Sequence, residues 1–225
     1  MTSSLNSVRP TRLLFLTLLL LLGFGAVSSR SIATPASETP QDSCKKSIVD
    51  FNTAIKSNPQ NSAVLTERAT CFATLGNHQA AIVDLTEALK FDQTIQYGLR
   101  GASYMALKDY KNALADFDQQ INDRNANAAK ISDPEQKKFA LPSETDYIGR
   151  GQAHQALGNW KAAIADFDQV LKLNPDAGDA YYGRALAKRS LGQKQAALQD
   201  FKQAAERYSS GEIYDQIMQY IKELQ

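Results

Sequence analysis

Most of what chemistry or tight architecture would require is scarce in this chain. Only two cysteines and two histidines occur in 225 residues, so neither a disulfide scaffold nor a zinc site built from Cys and His pairs fits. No charge of one sign dominates: 25 basic side chains against 24 acidic ones leave +1, and the basic footprint of a nucleic-acid binder is missing. Glycine-rich phosphate loops, nucleophile elbows and zinc-protease motifs are absent. His78 and His154 stand far apart with no companion ligand and read as surface or packing histidines. No enzyme activity, cofactor or metal is therefore expected. What is present is ordinary globular material, 43% hydrophobic and 22% charged, which excludes a disordered or fibrous chain and suffices for a sizeable core.

A bilayer-length apolar helix is also lacking. The longest apolar run, Leu13–Val27, has fifteen residues, short of the roughly 20 needed to span. Arg9 and Arg12 precede it and Ser28 and Ser29 follow, the charged, apolar and small-residue order of a secretory signal over residues 1–29. Cleavage near Ser28 or Ser29 is expected, with a retained membrane anchor through residues 13–27 as the alternative. No cysteine follows closely enough for lipid attachment, and the two arginines are not adjacent as a twin-arginine signal demands. Export to a periplasm or comparable lumen follows. Residues 30–41, rich in Ser, Thr, Pro and Ala, read as a flexible linker.

From Cys44 onward one unit is written four times: LGNHQAAIVDLTEALKFD from Leu75, LKDYKNALADFDQQINDR from Leu107, LGNWKAAIADFDQVLKLNP from Leu157 and LGQKQAALQDFKQAAERY from Leu191. Each has an arginine seven residues ahead of its leucine, at Arg68, Arg100, Arg150 and Arg184. A fifth copy, CKKSIVDFNTAIKSNP from Cys44, has the second half alone. Arg150 and Arg184 are 34 residues apart, Arg68 and Arg100 are 32, and Arg100 and Arg150 are 50, one period plus an insertion of sixteen. Two amphipathic helices and two turns fit in 34 residues.

With units numbered from Ser62, Thr94, Glu144 and Gly178, position 8 is small (Ala69, Gly101, Gly151, Ala185), as is position 20 (Ala81, Ala113, Ala163, Ala197). Position 24 is bulky: Leu85, Phe117, Phe167 and Phe201, with Phe51 in the half unit. Pro59 and Pro175 stop second helices, whereas Gln93 and Asn125 stand at that position in two other units. These positions and the period resemble the tetratricopeptide repeat from about Cys44 to the end. The resemblance implies an all-α fold, a right-handed solenoid of stacked antiparallel helix pairs whose first helices line a concave face. The expected divisions are a half repeat at 42–61, repeats at 62–93, 94–127, 144–177 and 178–211, an insertion at 128–143 and an amphipathic capping helix at 212–225.

Each unit also pairs Arg at position 7 with Asp at position 23, namely Asp84, Asp116, Asp166 and Asp200, with Asp50 in the half unit. An internal ion pair and a ligand-reading ladder are the two interpretations, the internal pair being favoured. Cys44 and Cys71 fall at helix ends that antiparallel neighbours would bring together, so a disulfide and two separate buried thiols both remain open.

In the resembled family, partners often lie against positions 2, 5, 9 and 12 of the first helices. Carried over, the candidate groove is Thr66, Thr70, Ala73, Gly98, Ala102, Met105, Ile148, Gln152, Gln155, Tyr182, Leu186 and Arg189. The set lacks the Lys and Asn with which some relatives grip a C-terminal carboxylate. It is nearly neutral, and suits a protein or peptide segment held by burial and a few hydrogen bonds. The insertion presents Lys137, Lys138 and Phe139 as a second candidate contact, or is a tolerated elongation of a turn. The expected role is an exported adaptor, scaffold or assembly factor without catalysis, and the alternative is a permanent structural subunit of an envelope complex.

Overall fold

A computed structural model describes residues 39–92 and 96–225, Gln96 without its side chain. The signal, most of the linker, the Gln93 turn and the expected unit start at Thr94 lie outside the described residues. Among those described there is no strand, and eleven helices follow one another: α1 Pro40–Ser57, α2 Ser62–Thr74, α3 His78–Ala88, α4 Gln96–Ala106, α5 Tyr110–Ala129, α6 Pro134–Ala140, α7 Glu144–Ala156, α8 Trp160–Leu173, α9 Gly178–Ser190, α10 Lys194–Arg207 and α11 Glu212–Leu224. The fold class is the expected one, an all-α stack of antiparallel pairs α2/α3, α4/α5, α7/α8 and α9/α10.

Local chemistry sets the helix ends. Asn61, Asn77, Asp109 and Asp133 cap α2, α3, α5 and α6 by accepting a backbone N–H, and Ser143 opens α7 by donating its own N–H to Asp146 at 2.7 Å. The turn inside each pair needs a left-handed residue. Gly76, Gly158 and Gly192 supply it at φ 74–78°, but the second unit uses Lys108 at φ 60°, where a side chain is strained.

Packing between units follows a volume rule. Phe117 and Phe167 press on the first helix of the next unit at Gly149 and Gly183, where an added Cβ would come within 2.6 and 2.5 Å of the ring. Where the pressing residue is the smaller Leu85, the same position of the next helix holds Leu99. The core is thus a row of clusters around Leu85, Phe117, Phe167 and Phe201.

The arginine at position 7 ties three helices together. Its Nε and Nη2 donate to both oxygens of the unit's own aspartate at 2.6–3.0 Å, in Arg68–Asp84, Arg100–Asp116, Arg150–Asp166 and Arg184–Asp200. Its Nη1 reaches back to the preceding second helix, to Asn52, Thr86, Asp118 and Asp168 in turn. The four aspartates are 3–5% exposed, so these are buried bidentate pairs. The hydrogen bond to aspartate raises the pKa of Arg68, Arg100 and Arg150 against the opposing effect of burial. At Arg184 burial is the largest influence, yet the bonds to Asp200 and Asp168 outweigh it and the pKa rises. All four guanidiniums are consumed internally.

Two boundaries differ from the sequence reading. Helix α1 starts at Pro40, because Thr39 caps it by accepting from the Asp42 N–H and proline suits the first helical position; the last two linker residues are helical. Helix α5 runs through Asn125 to Ala129, since no proline stops it, and Ala128 at the head of the expected insertion is a buried helical residue. The rest of the insertion holds the short helix α6 packed on α5, with Phe139 82% exposed.

Candidate functional site

The first helices α2, α4, α7 and α9 bring most of the candidate groove residues onto one surface. Between α2 and α4 lies a cavity of about 180 Å³ walled by Thr70, Ala73, Leu99 and Ala102. His78 also lines it, with a buried Nδ1 that has no hydrogen-bond partner. Between α4 and α7 a larger one, about 530 Å³, is walled by Gly98, Ala102, Met105, Ile148 and Gln152 over a floor of Phe117 and Gln120. Between α7 and α9 a third, about 410 Å³, is lined by Gln152, Gln155, Leu186 and Arg189. Shared residues make them a continuous series: Ala102 borders the first and second, Gln152 the second and third.

Two of the twelve candidates line none of these cavities. Thr66 sits on α2 with its hydroxyl donated back to Ser62 O at 2.8 Å. Tyr182 donates to Gln216 Oε1 of α11 at 3.0 Å. Helix α11 lies over the last first helix, where Arg189 stacks on Tyr220 at 4.2 Å and pairs with Glu223 at 3.6 Å. Gln155 is also engaged, donating to Gly183 O at 2.8 Å. The capping helix thus engages Tyr182 and Arg189 at the α9 end, while the third cavity beside them is lined by no residue of α11.

Polar groups of the groove are largely self-satisfied. Thr70 donates to Thr66 O at 2.9 Å. The backbone N–H of Gly98 donates to Gln120 Oε1 at 3.1 Å, so a buried side chain from α5 closes the start of α4. Arg124 lies 3.1 Å from Asp146 on the wall of the cavity between α4 and α7. The surface is thus apolar with hydroxyl and amide edges and one compensated ion pair, suited to an extended or helical segment.

Sequence reasoning missed Gln120, Arg124 and Asp146. Gln120 occupies position 27, which is Ala88, Val170 and Ala204 in the other units, so that departure was the available signal. Arg124 depends on the continuation of α5, and nothing in the repeat marks it. Among the described residues no group of His, Cys, Asp or Glu is arranged to hold a metal ion, and no helix is long and apolar enough to cross a membrane. Cys44 and Cys71 lie side by side across the α1–α2 contact, their Cα atoms 5.0 Å apart, inside the roughly 4.4–6.8 Å that a disulfide needs.

Known proteins resemble this arrangement. MamA from Desulfovibrio magneticus RS-1 superposes with a TM-score of 0.63 at 16% identity, covering 73% of this chain and 85% of that one. PilW, a type IV pilus biogenesis factor, gives 0.62 at 19%, covering 82% and 83%. The first tetratricopeptide-repeat domain of Spaghetti (RPAP3), solved bound to the HSP90 peptide SRMEEVD, gives 0.50 at 21%, covering 59% and 94%. At these identities the likeness is one of fold. No curated protein matches the chain. The sequence model of the tetratricopeptide repeat matches residues 47–94 and 148–212, half of the chain, and with the four clamped helix pairs described above it follows that this protein belongs to the tetratricopeptide-repeat family.

Proposed function

We propose that this protein is an exported protein-interaction module, an adaptor, scaffold or assembly factor, that holds a segment of a partner along the concave series of cavities and performs no catalysis. The observation that carries the proposal is the uncommitted state of that surface: every repeat arginine is spent on aspartates, whereas the walls formed by Thr70, Ala73, Ala102, Met105, Ile148 and Gln152 cover nothing. The solved repeat domain that holds a peptide shows the fold to be capable of such use. The export signal in the sequence and the proximity of Cys44 and Cys71 agree with an oxidising compartment, in which those two cysteines form a disulfide.

The test is to recover partners with the tagged full-length protein expressed in its own cells, alongside Ala102→Arg combined with Gln152→Arg. Both residues are exposed, so the variant fills the groove without disturbing the core. A partner kept by the wild type and lost by the variant, at equal helical content, supports the groove. Identical partners from both would move the function elsewhere.

A further inference from the structure

Helix α1 is the second helix of a unit whose first helix is not among the described residues. Its Ser47, Asp50, Phe51 and Ala54 stand at positions 20, 23, 24 and 27, which in the last unit are Ala197, Asp200, Phe201 and Ala204, all 0–5% exposed. In α1 none of the four is buried, and Asp50 is exposed with no hydrogen bond or ion pair among the described residues. In all four complete units that aspartate holds an arginine of the first helix, and the Gly or Ala beside the arginine lets the helix approach. An added Cβ would stand 3.2 Å from the Phe117 ring at Gly101 and 3.1 Å from the Phe167 ring at Gly151.

Without such a partner among the described residues, α1 is held in the pose of a second helix. Arg68 Nη1 donates to Asn52 at 2.6 Å, the same bond that Arg100, Arg150 and Arg184 make one unit further along. The Cys44 and Cys71 pair fixes the other end of the helix. The face is preformed, which lowers the ordering cost of binding to it.

We propose that the uncovered face of α1 is a second binding site that receives one α-helix of another protein, carrying arginine followed by glycine or alanine, and seats it where a first helix would lie. The guanidinium takes Asp50 as a bidentate partner, and the small residue lies against Phe51. Charge decides the occupant. The chain's own upstream sequence has Thr34 and Pro35 at the arginine and small-residue positions, and the Leu13–Val27 run holds no arginine. A second copy does not fit either: α1 against α1 would oppose two Asp50 carboxylates, and α11 has Met218 and Gln219 at the two positions. The site lies apart from the concave groove and does not depend on it.

The probe is a helix-locked peptide with the sequence of residues 178–190, this chain's own α9 with Arg184 and Ala185; locking removes the nucleation cost of a short helix. Titrated into the full-length protein, it is expected to bind, with affinity reduced roughly tenfold or more by Asp50→Lys. The same peptide carrying Arg184→Glu should fail on the wild type and bind to Asp50→Lys, while Ala102→Arg with Gln152→Arg leaves the original affinity unchanged. Asp50 is exposed, so its substitution does not threaten folding. No binding at about millimolar peptide, or an affinity indifferent to Asp50→Lys, would overturn the proposal. Loss of binding in the groove variant would place the peptide in the concave face instead.

Discussion

Among the described residues α1 and α11 are the outermost helices of one stack, and they pack onto it by opposite means. Helix α11 buries Ile217 and Ile221 against the Phe201 cluster, lays Tyr220 against the Phe201 ring with centroids 5.1 Å apart, and takes up Tyr182 and Arg189 through Gln216 and Glu223. Helix α1 buries none of its residues; it packs on α2, where Arg68 donates to Asn52 and Cys44 lies beside Cys71. Yet α1 keeps every signature position of a second helix, whereas α11 abandons those of a first helix at Met218 and Gln219. A capping helix closes a stack by leaving the repeat pattern and turning polar side chains outward. A helix that retains the pattern without its partner leaves a socket.

The contrast can be broken most severely at its aspartates. Asp200→Ala removes the anion from beneath Arg184 and Lys188, both within 2.7 Å of it, and an uncompensated buried charge should cost about 3–5 kcal/mol. The matching Asp50→Ala should change stability by no more than about 0.5 kcal/mol. Urea unfolding of the two variants compares them, and equal losses would mean that Asp50 is covered. Next in size, Ile217→Ala should cost about 2–4 kcal/mol and raise hydrogen exchange in α11, while Val49→Ala on exposed α1 does neither.

Breaking the N-terminal attachment comes third. In the disulfide-bonded form proposed above, Cys71→Ser opens a link spanning 27 residues, for which loop entropy gives about 3.5 kcal/mol. Exchange should rise in α1 and stay unchanged in α9 to α11, because each unit contacts only its neighbours. The smallest effect is a gain: Lys108→Gly gives the second unit the left-handed glycine that the other three have and should stabilise by roughly 1 kcal/mol, read as a higher melting temperature.

The repeat made much of this legible in advance. Arg, Gly or Ala, Asp and Phe recur because two helices and their neighbour meet at the same point in every unit, so one copy explains the others. Where the pattern is silent, reading failed. The continuation of α5 follows from a missing proline at Asn125, and an absence of stop marks no particular end. Tyr182 and Arg189 satisfy the positional rule for the groove, but the rule assigns residues to a face without saying what lies beside it, and α11 takes up their polar ends. The openness of α1 had the same cause: its signature residues were readable, whereas their exposure depends on what packs on them, which no signature position states.

Five carboxylates, Asp50, Asp84, Asp116, Asp166 and Asp200, occupy one structural position, and their reactivity compares the two ends in a single sample. Carboxyl footprinting of the native full-length protein, read by mass spectrometry, should label Asp50 freely and leave the other four, 3–5% exposed, almost unmodified until the chain unfolds. Protection of Asp50 equal to that of Asp200 would show its face already covered within the molecule, and would contradict both the open end of the stack and the binding site placed on it.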